Sequence, residues 1–474
     1  MSRCNEQTHR KITSFSDDLY PDVHYAVDYE IATGITQRAM SESPELKGKR
    51  TSYAQSEMQK ADQISIKRGV KNSVFLFFGE ATSAVISFIF FVYIARVFPV
   101  SEFGLYITIV SFVSLFSILP HFGINTVIIR EGAKEPEHTH HLISNAIGLE
   151  TLLSAGSIVL LTACMFFTPY SFEVKLLIML TSSTLLMRGL GSLFRSVFNI
   201  YQDMKYVSVC TIVERIIFVF FSVIFIALGF GIVGIIYATI TGAFINTLLS
   251  FVKSRQIHYY KLNFKPIFDK NIIGPAVWFG LAALLGTMWQ RIDTIMISLL
   301  IGVRSVGLFT PAVNFIGVGD MAVFALTGAF FPVLSKAVHE RKIAKKELFR
   351  YVSYFTVTGI IITVMTFAFA NQLIYYTFGP KFTESADFLN ILIVGFSIGL
   401  VAVPTVLLLD ATNNQKVRVL NATYISLANF GLNLYLIPIM GAVGAAYSTC
   451  ISQILGTVLG VPIALYFLKR SDYI

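Results

Sequence analysis

Charge is scarce in this chain: Asp, Glu, Lys and Arg make up 14% of its 474 residues, where soluble proteins carry about 25%. That deficit excludes an ordinary soluble domain, and a hydrophobic content of 54% points to the membrane. Cysteine is nearly missing as well. Cys4, Cys164, Cys210 and Cys450 show no CxxC spacing, which argues against redox or thiolate-metal chemistry and leaves them as small apolar side chains. There is no nucleophile elbow, P-loop or H-E-x-x-H, so hydrolytic, ATP-driven and zinc-protease chemistry lack their residues. GFGIVG at Gly229–Gly234 joins two apolar runs rather than a strand and a helix, and is no nucleotide loop. His138, His140 and His141 lie beside Glu135 and Glu137 with no distant ligand, so they read as a solvated loop rather than a metal site.

What is abundant is the long apolar run. Taking about 20 residues per crossing, twelve segments qualify: 71–95, 104–129, 142–167, 174–198, 207–228, 232–252, 271–301, 306–335, 350–371, 386–409, 417–437 and 442–467. Runs of helix length predict an all-α polytopic membrane protein and exclude a barrel. Residues 1–65 hold no apolar run and no periodicity, and are expected to be a disordered cytoplasmic extension. Lys and Arg crowd alternate loops: Lys253, Arg255, Lys261, Lys265, Lys336, Arg341, Lys342, Lys345 and Lys346 fall on one side, against Arg96, Lys175, Arg304 and Lys381 on the other. The positive-inside rule then puts both termini in the cytoplasm. The net charge of +9 is thereby assigned to topology and to anionic membrane lipids, not to nucleic acid.

The chain repeats itself. GIVGIIYAT (Gly231–Thr239) matches GAVGAAYST (Gly441–Thr449), and VSEFGLY (Val100–Tyr106) matches VRSVGLF (Val303–Phe309). Each pair is six spans apart, so both copies have the same orientation. Parallel repeats predict two pseudo-symmetric six-helix bundles, residues 66–260 and 261–474, with a substrate path between them. A channel would call for a filter motif, and none is present.

ARVFPVSEFGLYITIVSFVSLFSILPHFGINTVIIRE (Ala95–Glu131) resembles the first-to-second-helix signature of bacterial polysaccharide flippases, with Pro99, Phe103, Gly104 and Tyr106 in place and Phe98 where the pattern has Gly. LFRSVFNIYQDMKY (Leu193–Tyr206), QRID (Gln290–Asp293) followed by SVGLFTPA, FFPVLSK (Phe330–Lys336) and NFGLNLYLIPIMGAVGAAYST (Asn429–Thr449) are similar to later segments of the same family, in order. That family belongs to the multidrug/oligosaccharidyl-lipid/polysaccharide (MOP) exporter superfamily, so the resemblance implies a MATE-like fold. It also implies export of undecaprenyl-pyrophosphate-linked oligosaccharide across the bacterial inner membrane by alternating access, with no enzymatic activity. A polysaccharide polymerase or chain-length regulator is the protein partner it suggests. The alternative within the superfamily is an ion-coupled multidrug antiporter. The major facilitator fold expects a G-x-x-x-D-R-x-G-R-R-like loop where this chain has REGAKEPEHTHH. Membrane polymerases and ligases expect a large outer loop, and the longest here, about 371–386, is too short.

Charges inside the spans are the candidate site residues, because each costs roughly 2.5–3.5 kcal/mol near the bilayer centre. Thr287, Gln290, Arg291, Thr294 and Ser298 fall on one helical stripe, with Asp293 at its edge. Arg188, Ser192, Arg195 and Asn199 form a second stripe, and Arg215 is next to Glu214. Arg188, Arg195, Arg215 and Arg291 are candidates for binding a pyrophosphate by forked hydrogen bonds. The structural alternative is that they pair with Glu80, Glu214 or Asp293. Glu80, Asp293 and Asp320 are candidate coupling groups for Na+ or a proton, and no cofactor is called for. In some relatives a cation site lies between helices seven, eleven and twelve, which would join Asp293 to Asn429, Asn433 and Thr449. Interhelical amide packing is the other reading of those Asn residues.

Overall fold

A computed structural model describes residues 44–339, 345–412 and 414–470. Arg341 and Lys342, and most of the expected N-terminal extension, lie outside them. The described residues hold thirteen α-helices and no strand. The first half comprises α1 (Pro44–Val97), α2 (Val100–Phe116), α3 (Ile124–Lys134), α4 (Thr139–Phe166), α5 (Phe172–Ile200), α6 (Met204–Ala227) and α7 (Gly231–Ile257). The second comprises α8 (Lys270–Leu300), α9 (Val303–His339), α10 (Lys345–Phe378), α11 (Ser385–Ala411), α12 (Gln415–Met440) and α13 (Ala442–Arg470). Eleven of these are long and apolar enough to cross a membrane. Phe167, Trp278 and Ile361 are exposed on their outer surfaces, as lipid contact requires. The chain divides into two units, residues 1–75 and 76–474, and helices α2 to α13 belong to the second.

Two expectations need correction. Residues 44–65, expected to lack structure, are helical and run on into the first span as α1. Once an apolar span has nucleated a helix, polar helix formers extend it by one hydrogen bond per residue. The second span, expected to be continuous over 104–129, is broken at 117–123. Pro120 has no N–H to donate, and Gly123 turns the chain at φ +80 before α3 begins. Irregular backbone at membrane depth must be buried in protein. Here Gly123 seats on α8, so closely that a Cβ would lie 2.2 Å from the Ala276 carbonyl oxygen.

The repeats fold alike. Within the first half α5 packs on α2, α4 and α7, and α7 packs on α6; within the second, α11 packs on α9, α10 and α13, and α13 packs on α12. Span for span, these are the same contacts. Gly231 and Gly441 both take positive φ, +57 and +67, where the last helix of each half begins. Three residues on, Gly234 and Gly444 let the preceding helix approach, against Phe225 and the Leu436 carbonyl.

The halves meet through their other repeat. A Cβ on Gly104 would lie 1.8 Å from the Val303 oxygen, and one on Gly307 would lie 2.2 Å from the Val100 oxygen. Phe98, Phe103, Phe309, Phe378 and Phe382 are buried in one apolar cluster at this end. Arg96 reinforces it, donating to the Thr377 oxygen at 2.8 Å and to the Tyr376 oxygen, while Lys381 donates to the Arg96 oxygen at 3.0 Å. The end carrying the α1–α2 and α8–α9 links is therefore closed. At the other end, the connection 258–269 is docked rather than loose. Tyr260 is buried, its hydroxyl 2.6 Å from Ser254 Oγ, and burial pushes that hydroxyl up to about 12. His258 stacks on Tyr201, and burial with the neighbouring His140 holds its imidazole below the ordinary value.

Candidate functional site

Beneath the apolar plug lies a cavity of about 320 Å³ walled by both halves. The first half contributes Tyr106 and Ser111 from α2, Arg188 from α5, Glu214 and Arg215 from α6; the second contributes Gln290, Arg291 and Thr294 from α8 and Asn314 from α9. Three guanidinium groups thus face one carboxylate, a formal net charge of +2 in a space otherwise lined by Tyr106, Gln290, Asn314 and Phe, Ile, Val, Ser and Thr side chains.

Each Arg has its own setting. Arg188 Nη2 lies 3.2 Å from Glu214 Oε1, with the Arg side chain 48% exposed to the cavity. The other Glu214 oxygen accepts from Asn246 Nδ2 at 2.8 Å, and Asn246 Oδ1 accepts from Arg195 at 2.5 Å. Arg195 therefore stands behind the wall, bracing the Asn246–Glu214 pair, and does not line the cavity. Arg215 Nε reaches Ser83 Oγ at 3.3 Å and leaves the rest of its fork facing inward. Arg291 makes no hydrogen bond or ion pair among the described residues. A half-buried guanidinium with five unused donors is suited to a bidentate anion.

Asp293, two residues along α8, points the other way. It accepts from Asn433 Nδ2 at 2.6 Å and from Thr449 Oγ1 at 2.5 Å; Asn433 also donates to Asn429 Oδ1 at 3.1 Å, and Asn429 to Thr449 at 3.3 Å. Helices α8, α12 and α13 thus bury a carboxylate among three neutral side chains, with Asn433 Oδ1 still unpartnered. That oxygen-rich donor set suits a monovalent cation. Of the structural ion pairs, Arg188 with Glu214 forms and Arg291 with Asp293 does not: a step of two residues turns the side chains to opposite sides of α8. Ser298, placed on the Arg291 stripe by its spacing, instead bonds Thr108 and Tyr170 at 3.1 and 2.6 Å.

Glu80 and Asp320 stand apart. Both are exposed, neither lines the cavity, and neither bonds another described residue. The histidines form no metal cluster among the described residues; His138 instead pairs with Glu135 at 2.8 Å. Sequence reasoning missed Asn246, Asn314 and Glu150. Asn246 is a lone amide in an apolar run, and it signals nothing until α7 is laid against Arg195. Glu150 met the same test as Glu80, an acid inside a span, and was open to the same reading.

The sequence profile of the family described as polysaccharide biosynthesis protein matches residues 70–338, more than half of the chain. No curated protein sequence matches it. Among solved structures, the chain is similar to an inward-facing multidrug resistance MATE family transporter of the MOP superfamily. There the TM-score is 0.67 at 15% identity, covering 82% of this chain and 95% of that one. The lipid II flippase MurJ in an inward closed conformation gives 0.65 at 17%, covering 85% and 89%. An outward-facing MATE transporter gives 0.60 at 16%, covering 85% and 96%. At such identities the likeness is one of fold.

Proposed function

The chain belongs to the polysaccharide biosynthesis protein family, and from that premise we propose that it is a flippase for lipid-linked oligosaccharide. Undecaprenyl-pyrophosphate-linked units would move from the cytoplasmic to the periplasmic leaflet of the bacterial inner membrane, supplying O-antigen or exopolysaccharide assembly. Both termini would be cytoplasmic, and a polymerase or chain-length regulator would take the product onward. The observation that carries this reading is the cationic cavity between the halves, with Arg291 unpaired in its wall. A pyrophosphate cannot enter hydrocarbon alone, and forked hydrogen bonds from Arg291, Arg188 and Arg215 give it a polar path. The glycan needs neutral hydrogen-bonding groups, which Gln290, Asn314, Ser111 and Thr294 supply. Asp293 takes the coupling ion, Na+ or a proton, away from the anionic substrate. A net charge of +2 repels cationic drugs, which sets this reading above a multidrug antiporter.

Deletion in the native host tests it. Lipid-linked oligosaccharide should accumulate in the inner leaflet while surface polymer disappears, with resistance to cationic dyes unchanged. Normal polymer together with lost dye resistance would overturn the flippase and favour the antiporter.

A further inference from the structure

The broken span lies against a carboxylate that none of the roles above uses. Glu150 sits near the middle of α4, eleven residues from its start and thus about 16 Å along the axis. Its exposure is 0%, and neither carboxylate oxygen has a hydrogen-bond partner. A Cβ built on Gly189 of α5 would lie 3.6 Å from Glu150 Oε1, 2.9 Å from Ser154 Oγ and 3.0 Å from Pro120 Cβ. Acid, hydroxyl and chain break therefore converge on one point. Ser154 is equally buried and its Oγ is equally unpartnered. Close by in the chain, Asn125 donates to Ser192 at 2.6 Å while its own Oδ1 has no donor.

No counter-charge is turned toward this acid. On α5, Arg188 faces Glu214 at 3.2 Å and Arg195 faces Asn246 at 2.5 Å. On α3, Arg130 and Lys134 are bonded to Glu131, and beyond it His138 is bonded to Glu135. After Glu102, α2 has no charged residue. The docked connection 258–269 presents the Lys265 backbone, against Gly148. His121, next to Pro120, is the one titratable group on the turn, and its Nδ1 is buried without a partner. An ionised carboxylate with neither cation nor donor is not sustained in such a place; the neutral acid is.

We propose that Glu150 is a proton-binding site of the first half, protonated in the conformation seen here and ionised when the 117–123 segment moves and admits water. The proton passes to that water as the carboxylate forms, and returns from water when the segment closes again. The segment is placed to report the change to the second half. Pro120 shares its contact point with Glu150, and three residues later Gly123 packs on Ala276 and Gly280 of α8. Across that contact Phe122 covers Gly280, whose Cβ would lie 2.6 Å from the ring. The same helix carries Arg291 and Asp293, so protonation in one half bears on the cavity and the cation set in the other. Coupling to transport rests on the flippase reading; the proton site does not.

Infrared pH-difference spectra of the purified protein test the site without any substrate. The band of a protonated carboxylic acid in an apolar setting should be present at neutral pH, lost in Glu150→Gln, and retained in Asp293→Asn and Asp320→Asn. Glu150→Gln keeps shape and neutrality, so thermal stability should be equal to wild type, while polymer export in cells should fall by about an order of magnitude or more. The proton site is overturned if Glu150→Gln keeps the full band; its coupling to transport is overturned if Glu150→Gln exports polymer normally with the wild-type pH dependence. If the band is lost as expected but Arg291→Ala exports normally, the pyrophosphate reading fails and the proton site stands.

Discussion

Arg195 and Arg291 are both half-buried guanidinium groups in membrane helices, but only one has a partner. Arg195 holds Asn246, which holds Glu214; removing it leaves the buried amide oxygen only the long 3.4 Å bond from Ser250 Oγ, a loss of about 1 kcal/mol or more. Arg291 holds nothing within the described chain, so its desolvation is offset only when an anion arrives. The two Ala variants should therefore separate. Arg195→Ala lowers thermal stability in detergent; Arg291→Ala leaves it unchanged or raised and loses export. Charge-assisted hydrogen bonds of about 1.5–3 kcal/mol set that loss at roughly tenfold to a hundredfold. Arg291→Lys restores charge without the fork and should recover only part of it. Polymer output measured beside melting curves decides this, and an Arg291→Ala protein that exports normally removes the residue from the substrate path.

Among the elements, the span of α2 and α3 is the informative one, because its break is set by two residues with different duties. Pro120 stops the helix, and Gly123 both turns the chain and seats it on α8. Gly229 has nearly the same φ, +84 against +80, but nothing lies within 4 Å of where its Cβ would stand. Ala at either position meets the left-handed strain of about 1–2 kcal/mol; only at Gly123 does it also strike backbone, adding about 1–3 kcal/mol of overpacking. Gly123→Ala should lower the melting temperature clearly more than Gly229→Ala. Equal shifts would mean that the turn is not held against α8. This element also marks how far the sequence could be read. Helix-length runs and the paired Gly motifs follow from composition and period alone, and among the described residues eleven of the twelve runs are unbroken apolar helices and both Gly motifs begin the last helix of their half; of the Arg stripes, Arg188 and Arg291 line the cavity while Arg195 and Ser298 do not. The gap at 117–123 does not follow from composition or period, since apolar content is continuous through SILPHFG and hydropathy is blind to a missing N–H. The Arg291–Asp293 split was half legible: spacing placed Asp293 at the edge of the stripe, but only the packing of α12 and α13 supplied the Asn and Thr that draw it away. Glu150 was visible as an acid in a span; its lack of partners was not, because that is a property of four other segments.

At the scale of the whole molecule, the proposed flippase requires the closed end to open, and the repeats locate where. Val100–Tyr106 and Val303–Phe309 cross with Gly104 and Gly307 pressed on each other's backbone, so the closed state depends on two missing side chains. A methyl at Gly104 meets the Val303 carbonyl, which cannot rotate away as a side chain would. Relief comes from parting the halves, the same movement that opens this end. With overpacking at about 1–3 kcal/mol, Gly104→Ala should raise the open population by roughly fivefold to a hundredfold. Ser385 gives the readout: it is fully buried here, its hydroxyl donating to the Leu308 oxygen at 2.5 Å. A Ser385→Cys reporter, in a background without the native cysteines, should react slowly with a membrane-impermeant maleimide and markedly faster when Gly104→Ala is added. Gly317→Ala, on the same helix as Gly307 but with open space around it, should leave the rate unchanged. Labelling that ignores Gly104→Ala and follows Gly317→Ala would place the moving contact elsewhere in α9.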